Sequence, residues 1–134
     1  MPAEKKMVQS IDELITTSQT ALASKRLVTC LMVGSTDPET GESWCPDCRE
    51  AEPIVEKCLK NTKDTDLFLM IEVGLRDAWK SPENEFRKHP IFQLREIPTL
   101  FRFGLVSVNL TVEAKLEGDG CKDPENVAQV LSGN

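Results

Sequence analysis

Two thiols stand three positions apart in the run SWCPDCRE at residues 43–50. Cys45 and Cys48 could cycle between dithiol and disulfide, supply half of a zinc site, or pack as small apolar groups. Zinc needs two further ligands, and Cys58, Cys121 and the lone His89 form no second closely spaced pair, so no metal is expected. Cys30 lies inside an apolar run and Cys58 on an apolar helical face, where cysteine usually packs. Cys121 sits in a glycine-flanked turn and is expected to be exposed, and His89, just past a helix end, reads as a surface cation.

Pro46 strengthens the redox reading. Proline fixes a helical φ and has no amide hydrogen, so it suits the first position of a helix that begins at or just after Cys45. Free amides and the macrodipole at such an end stabilise an anion by about 0.3–1 kcal/mol, up to roughly 2 kcal/mol when partly buried. At about 1.36 kcal/mol per pH unit, this lowers a thiol pKa by roughly one unit. Asp47 acts in the opposite sense, but an exposed carboxylate about 7 Å away contributes only about half a kcal/mol in water. The helix end wins, and Cys45 is expected to be appreciably thiolate at neutral pH. Cys48 follows about one turn later, with its Cα about 5.5 Å from that of Cys45, inside the range a disulfide tolerates. Deeper in the helix, it should keep its proton until a mixed disulfide on Cys45 has to be cleared. Pro46 and Asp47 are therefore the residues that tune the pair.

The flanking sequence supplies elements to hold this motif. From Ser10, the positions Ile11, Leu14, Ile15 and Leu22 share one helical face, and Ser10 with Glu13 reads as a capping box. RLVTCLMVGS is short, β-branched and almost wholly apolar, as a strand buried on both faces must be. The polar stretch GSTDPETGES at 34–43 is an exposed loop that delivers the chain to Trp44. CREAEPIVEKCLK keeps helical spacing through Ala51, Ile54, Val55, Cys58 and Leu59, with Pro53 expected to bend it. DLFLMIEVG is a second buried strand, and a third helix is expected with Ser81 as cap and Pro82 at its first position, ending before Pro90. IPTLFRFG and VNLTVEAKLEG alternate as an antiparallel pair, and Asp123 caps a last helix with Val127, Val130 and Leu131 on one face. The order αβαβαββα gives an α/β fold with a central mixed β-sheet flanked by helices. The cysteine pair falls on the loop leaving the C-terminal end of a strand, where ligand chemistry gathers in βα units.

The totals narrow the function further. At 134 residues the chain suits one domain, residues 1–134, with a proper core. Sixteen Lys and Arg against 22 Asp and Glu give a net charge of −6, which opposes phosphate backbones and acidic lipid surfaces, so neither nucleic acid nor membrane is expected as a partner. The N-terminus MPAEKKMVQS has no apolar signal core and no run approaches a membrane span, which places the chain in the cytoplasm. Five cysteines without a framework pattern point to a reducing compartment, where a disulfide is catalytic rather than structural.

Trp-Cys-x-x-Cys at a strand-to-helix junction, Pro53 five residues after the second cysteine, and IPT at 97–99 before a late strand together resemble the thioredoxin superfamily. The resemblance implies a thioredoxin-like fold in which Pro98 is cis and packs beside the disulfide, Ile97 offers backbone to a substrate chain, and Trp44 is a flat apolar platform beside the nucleophile. Two departures stand out. The motif is C-P-D-C rather than C-G-P-C, and RLVTCLMVGS has no acid where thioredoxins keep a buried aspartate, which leaves Asp47 or water to assist Cys48. C-P-x-C also resembles glutaredoxins, but no Gly-Gly-x-Asp element follows IPT, so glutathione-dependent reduction is the weaker reading. A closer resemblance, through GS, SWCPDC, AEP, VG, WK, FRK and PTL over residues 34–104, is to the thioredoxin domain-containing protein 17 family. Beyond Gly104 the stretch LVSVNLTVEAKLEGDGC looks longer than that family's pattern.

This resemblance implies a cytosolic disulfide reductase, recharged from NADPH through thioredoxin reductase, with no bound cofactor. Its implied substrates are small or exposed disulfides such as cystine, and protein disulfides, with a minor peroxidase activity; the chain is expected to act as a monomer. Asp37, Glu39, Glu42, Asp47, Glu50 and Glu52 surround the motif with negative charge, which would disfavour acidic protein partners, or merely solvate a loop. The competing reading is a partner-binding adaptor whose dithiol is a redox-sensitive switch.

Overall fold

The apolar runs become the centre of a sheet. A computed structural model of the chain describes residues 2–133. In chain order the elements are β1 (Glu4–Met7), α1 (Ile11–Ala23), β2 (Val28–Val33), α2 (Pro46–Leu59), β3 (Leu67–Glu72), α3 (Arg76–Lys80), α4 (Glu85–Lys88), β4 (Thr99–Val106), β5 (Asn109–Glu117), a 3-10 segment (Gly118–Lys122) and α5 (Pro124–Ser132). The five strands form one mixed sheet in the order β1-β3-β2-β4-β5. β2 is buried at all six positions because it is central, parallel to β3 on one side and antiparallel to β4 on the other. The antiparallel pair expected late in the chain is β4 and β5, which pair from Thr99↔Glu117 to Val106↔Asn109 with a register shift between Arg102 and Phe103.

Burial of apolar surface on both faces stabilises this arrangement. Phe92, Phe101 and Phe103 pack with ring centroids 5.6–6.0 Å apart, and Leu94 and Leu100 are likewise fully buried. Ser10 caps α1, accepting from the Glu13 amide, while the Glu13 carboxylate accepts from the Gln9 amide. Asp123 caps α5 by accepting from the amides of Glu125 and Asn126.

Three elements differ from the sequence expectation. β1 was not expected: all four of its residues are exposed, so no apolar pattern marks it, and backbone pairing with β3 from Glu4↔Leu67 to Met7↔Met70 holds it at the sheet edge. The helix expected to start at Ser81 and Pro82 starts later, at Glu85 with Asn84 as its cap, because Ser81 instead closes the unexpected α3. Asn84 also spans the two short helices, donating to the carbonyls of Val73 and Ala78. The expected helix α2 runs from Pro46 to Leu59 with Pro53 inside it.

Candidate redox site

β2 ends at Val33 and the chain must reach the start of α2 through the polar loop. That loop folds back on itself: the Asp37 amide donates to the Glu42 carbonyl at 2.8 Å, and Thr36 bridges Ser43. Ser43 is the joint. Its hydroxyl donates to the Gly34 carbonyl at 2.7 Å and accepts from the Cys45 amide at 3.3 Å, while Arg49 donates to its carbonyl at 2.7 Å.

Cys45 is the N-cap of α2 and Pro46 its first residue, as the motif demands. The Cys45 sulfur accepts from the Cys48 amide at 3.3 Å and lies 3.9 Å from the Ile97 carbonyl oxygen. Five per cent of Cys45 is exposed and none of Cys48. Both are thiols, and the Cys48 sulfur in turn accepts from the Gly34 amide at 3.5 Å. The peptide bond between Ile97 and Pro98 is cis. Trp44 is half-buried, its indole N–H donates to the Gly74 carbonyl at 2.8 Å, and the Arg76 guanidinium lies 5.4 Å from the ring centroid. Gly34 is required where it is: a Cβ there would meet the Trp44 indole at 2.8 Å and the Cys45 Cβ at 3.0 Å.

The electrostatics separate the two thiols. Cys45 is lowered from 9.0 to about 7, first by the Cys48 thiol donating to its sulfur, against burial, and then by the Cys48 amide. The largest contribution is thus not the helix end suggested by the sequence but the partner thiol. Asp47 raises the Cys45 value, the sense expected of a neighbouring carboxylate. Cys48 is pushed far above the ordinary thiol range, first by its bond to the Cys45 sulfur and then by burial. Glu52 adds to this. One helical turn beyond Cys48 and half-buried, its own carboxyl is raised by burial and by Glu72 and Glu56.

The remaining cysteines lie apart. Cys30 is buried on β2, and burial pushes its thiol up. Cys121, expected to be exposed, is fully buried, because its sulfur points under the cis-proline loop and donates to the carbonyls of Pro98 and Leu116; burial pushes it up to about 12. Cys58, expected to be packed away, is half-buried and donates to the Pro124 carbonyl. Among the described residues no three His, Cys, Asp or Glu side chains gather into a group that could hold a metal ion.

Asp47 pairs with a late part of the chain. Its carboxylate accepts from Lys122 at 2.9 Å, a contact across 75 positions of sequence. Nothing in the local sequence announces Lys122, and only the folding of the late 3-10 segment onto α2 brings it to the motif. For Glu52 a signal did exist, since four residues after Cys48 is the same helical face.

The model of the "Thioredoxin domain-containing protein 17-like, thioredoxin domain" family matches residues 6–132. The chain belongs to this family. The matched span includes residues 105–122. Among curated relatives, thioredoxin domain-containing protein 17 of Mus musculus is 42% identical over 71 residues, 53% of this chain and 55% of that one. The thioredoxin-like protein Clot of Arabidopsis thaliana is 36% identical over 83 residues, 62% of each chain. The chain thus spans between half and two thirds of the length of these relatives. An acireductone dioxygenase of Leishmania braziliensis is 39% identical over 93 residues, but only 26% of that protein is matched. Of solved structures, oxidised thioredoxin O1 of Arabidopsis thaliana superposes with a TM-score of 0.61 at 18% identity, covering 96% of this chain and 99% of that one. That likeness shows the thioredoxin fold.

Proposed function

We propose that this chain is a disulfide reductase that works through a reversible Cys45–Cys48 dithiol-disulfide couple. The observation that carries the reading is the inequality of the two sulfurs: one capping a helix and lowered to about 7, the other fully buried and held protonated. The Cys45 thiolate attacks one sulfur of a substrate disulfide, the S–S bond breaks, and the other half leaves as a thiolate that takes a proton from water. Cys45 is then in a mixed disulfide and no longer charged. The main cause of the high Cys48 pKa is its bond to the Cys45 thiolate, so that cause disappears and Cys48 loses its proton more readily. Cys48 attacks the Cys45 sulfur, the second substrate thiolate leaves and is protonated, and the protein carries a Cys45–Cys48 disulfide. Two electrons and two protons have gone to the substrate.

Thioredoxin reductase, drawing on NADPH, is the proposed source of the two electrons that restore the dithiol, and the chain itself binds no cofactor in this cycle. Cystine and exposed protein disulfides are the proposed substrates, peroxide a minor one, and the working form a cytoplasmic monomer. Trp44, Ile97 and Pro98 form the proposed docking surface: the indole is pinned by Gly74, and the Ile97 carbonyl lies beside the nucleophilic sulfur. The test follows NADPH oxidation with thioredoxin reductase, this protein and cystine, against Cys45→Ser. Turnover that disappears in the variant supports the reading. Turnover that survives it, or none in the native chain while an adaptor partner is retained by Cys45→Ser, overturns it.

A further inference from the structure

The 3-10 segment after β5 joins the two halves of the redox site. On one side the Gly118 amide donates to the Pro98 carbonyl at 2.8 Å, and the buried Cys121 sulfur donates to the same oxygen at 3.6 Å. On the other side Lys122 reaches the first turns of α2, with its ammonium 2.9 Å from Asp47, 2.7 Å from Glu50 and 3.1 Å from Asp119 of its own segment. The Lys122 side chain is only 24% exposed, whereas those of Asp47, Glu50 and Asp119 are 56%, 65% and 91% exposed, so the lysine is the anchored member and the acids gather on it. Within the first turn of α2 the Asp47 carboxylate, two residues from Cys45, is the charge that acts against its thiolate.

We propose that Lys122 is a positioning residue of the redox site, holding the Asp47 and Glu50 carboxylates on its ammonium so that their charge weighs less on the Cys45 sulfur. An ammonium in contact with a carboxylate turns a bare charge into a short dipole, whose field at several ångströms is much weaker. Lys122 keeps its proton throughout the range in which Cys45 titrates, since the hydrogen bonds it donates to Glu50, Asp47 and Asp119 raise it well above an ordinary lysine. The other groups that face the Cys45 sulfur are the Cys48 thiol and amide and the Asp47 amide from the helix and the Ile97 carbonyl from the cis-proline loop, and none of them is a partner of the Lys122 ammonium.

The inference rests on Cys45 being the nucleophile, and its test is a titration of the reduced full-length protein at low ionic strength, followed by thiolate absorbance or by the pH profile of alkylation. Lys122→Met is expected to raise the Cys45 midpoint by about half a pH unit, the effect of one uncompensated carboxylate about 7 Å away in water. Lys122→Arg is expected to keep the native midpoint. In an Asp47→Asn/Glu50→Gln background the ammonium is no longer held beside the helix, so Lys122→Met is expected to raise the midpoint by much less, and in the native background roughly 0.5 M salt should remove most of the difference. A Lys122→Met midpoint within about a tenth of a unit of native, or the same rise with and without the two carboxylates, overturns the proposal. Neither substrate nor reductase enters this titration, so an unmoved midpoint removes the role of Lys122 and leaves the reductase reading intact. A native Cys45 midpoint at or above the free-cysteine value of about 8.5 removes both.

Discussion

The low pKa of Cys45 depends on the thiol of its partner more than on the helix it caps, and replacing Cys48 isolates the two causes. In Cys48→Ala the thiol donor is lost, while the residue 48 amide, 3.3 Å from the Cys45 sulfur, and the helix end remain. A hydrogen bond to a charged group contributes about 1.5–3 kcal/mol, and a thiol, a weak donor, sits at or below the lower limit. About 1.4 kcal/mol is one pH unit, so the Cys45 midpoint should rise from about 7 to about 8. In Cys48→Ser a hydroxyl donor takes the same place, and the midpoint should stay near 7. The alkylation rate at one pH is a poor readout. At pH 7 the thiolate fraction would fall from roughly a half to roughly a tenth, but a more basic thiolate is intrinsically faster, leaving about a twofold change. The whole pH profile should be recorded, in a Cys58→Ser background so that the half-buried thiol does not contribute. Alanine and serine variants that both titrate near 7 would refute the reasoning and return the helix end as the cause.

Thiol linkage also sets how stability should change with pH. Cys45 titrates near 7 in the folded chain against 9.0 as its reference, so between pH 7 and pH 8 the unfolded chain holds the extra proton and the reduced protein gains stability as pH rises. Before pH 9 the sign reverses, because Cys30, Cys48 and Cys121 are raised in the fold, and three thiols ionising in the unfolded chain outweigh the one proton of Cys45. Urea unfolding at pH 6, 7 and 8 should show the rise in the native protein and its loss in Cys45→Ser; a flat native profile contradicts the assignment. Gly34→Ala places a methyl 2.8 Å from the Trp44 indole nitrogen and should destabilise the fold by about 1–3 kcal/mol while slowing reduction, as read by urea midpoint and turnover. Unchanged values would mean that the indole can move without consequence. Reversing the exposed charges of the loop, Glu39→Lys with Glu42→Lys, should speed reduction of acidic protein disulfides relative to cystine, and equal rates before and after would reduce that loop to a solvated surface.

What was legible in the sequence follows from how locally each feature is determined. RLVTCLMVGS announces a central strand because burial on both faces leaves only apolar types, and Pro46 announces the start of a helix by its own ring. EKKM announces nothing, since an edge strand held by backbone pairing needs no apolar face. Trp79 and Phe86 anchor two short helices whose order depends on Asn84 bonding to both sides of the turn, which no periodicity over so few residues reveals. Around the site, Cys45 and Cys48 were legible as a pair three apart, and Trp44 and Pro98 through resemblance. The burial of Cys121 and the reach of Lys122 to Asp47 were not, because flanking glycines signal a turn without saying what the turn is folded against.

The most direct test of the account is to trap its intermediate. Reduced Cys48→Ser should react with cystine and stop at a mixed disulfide, seen by intact mass as one added half-cystine and placed on Cys45 by peptide mapping, while the native protein passes through to an internal Cys45–Cys48 disulfide with no adduct retained. An adduct on any other cysteine, or none on Cys45 while the native chain still reduces cystine, would contradict the assignment of nucleophile and resolving thiol.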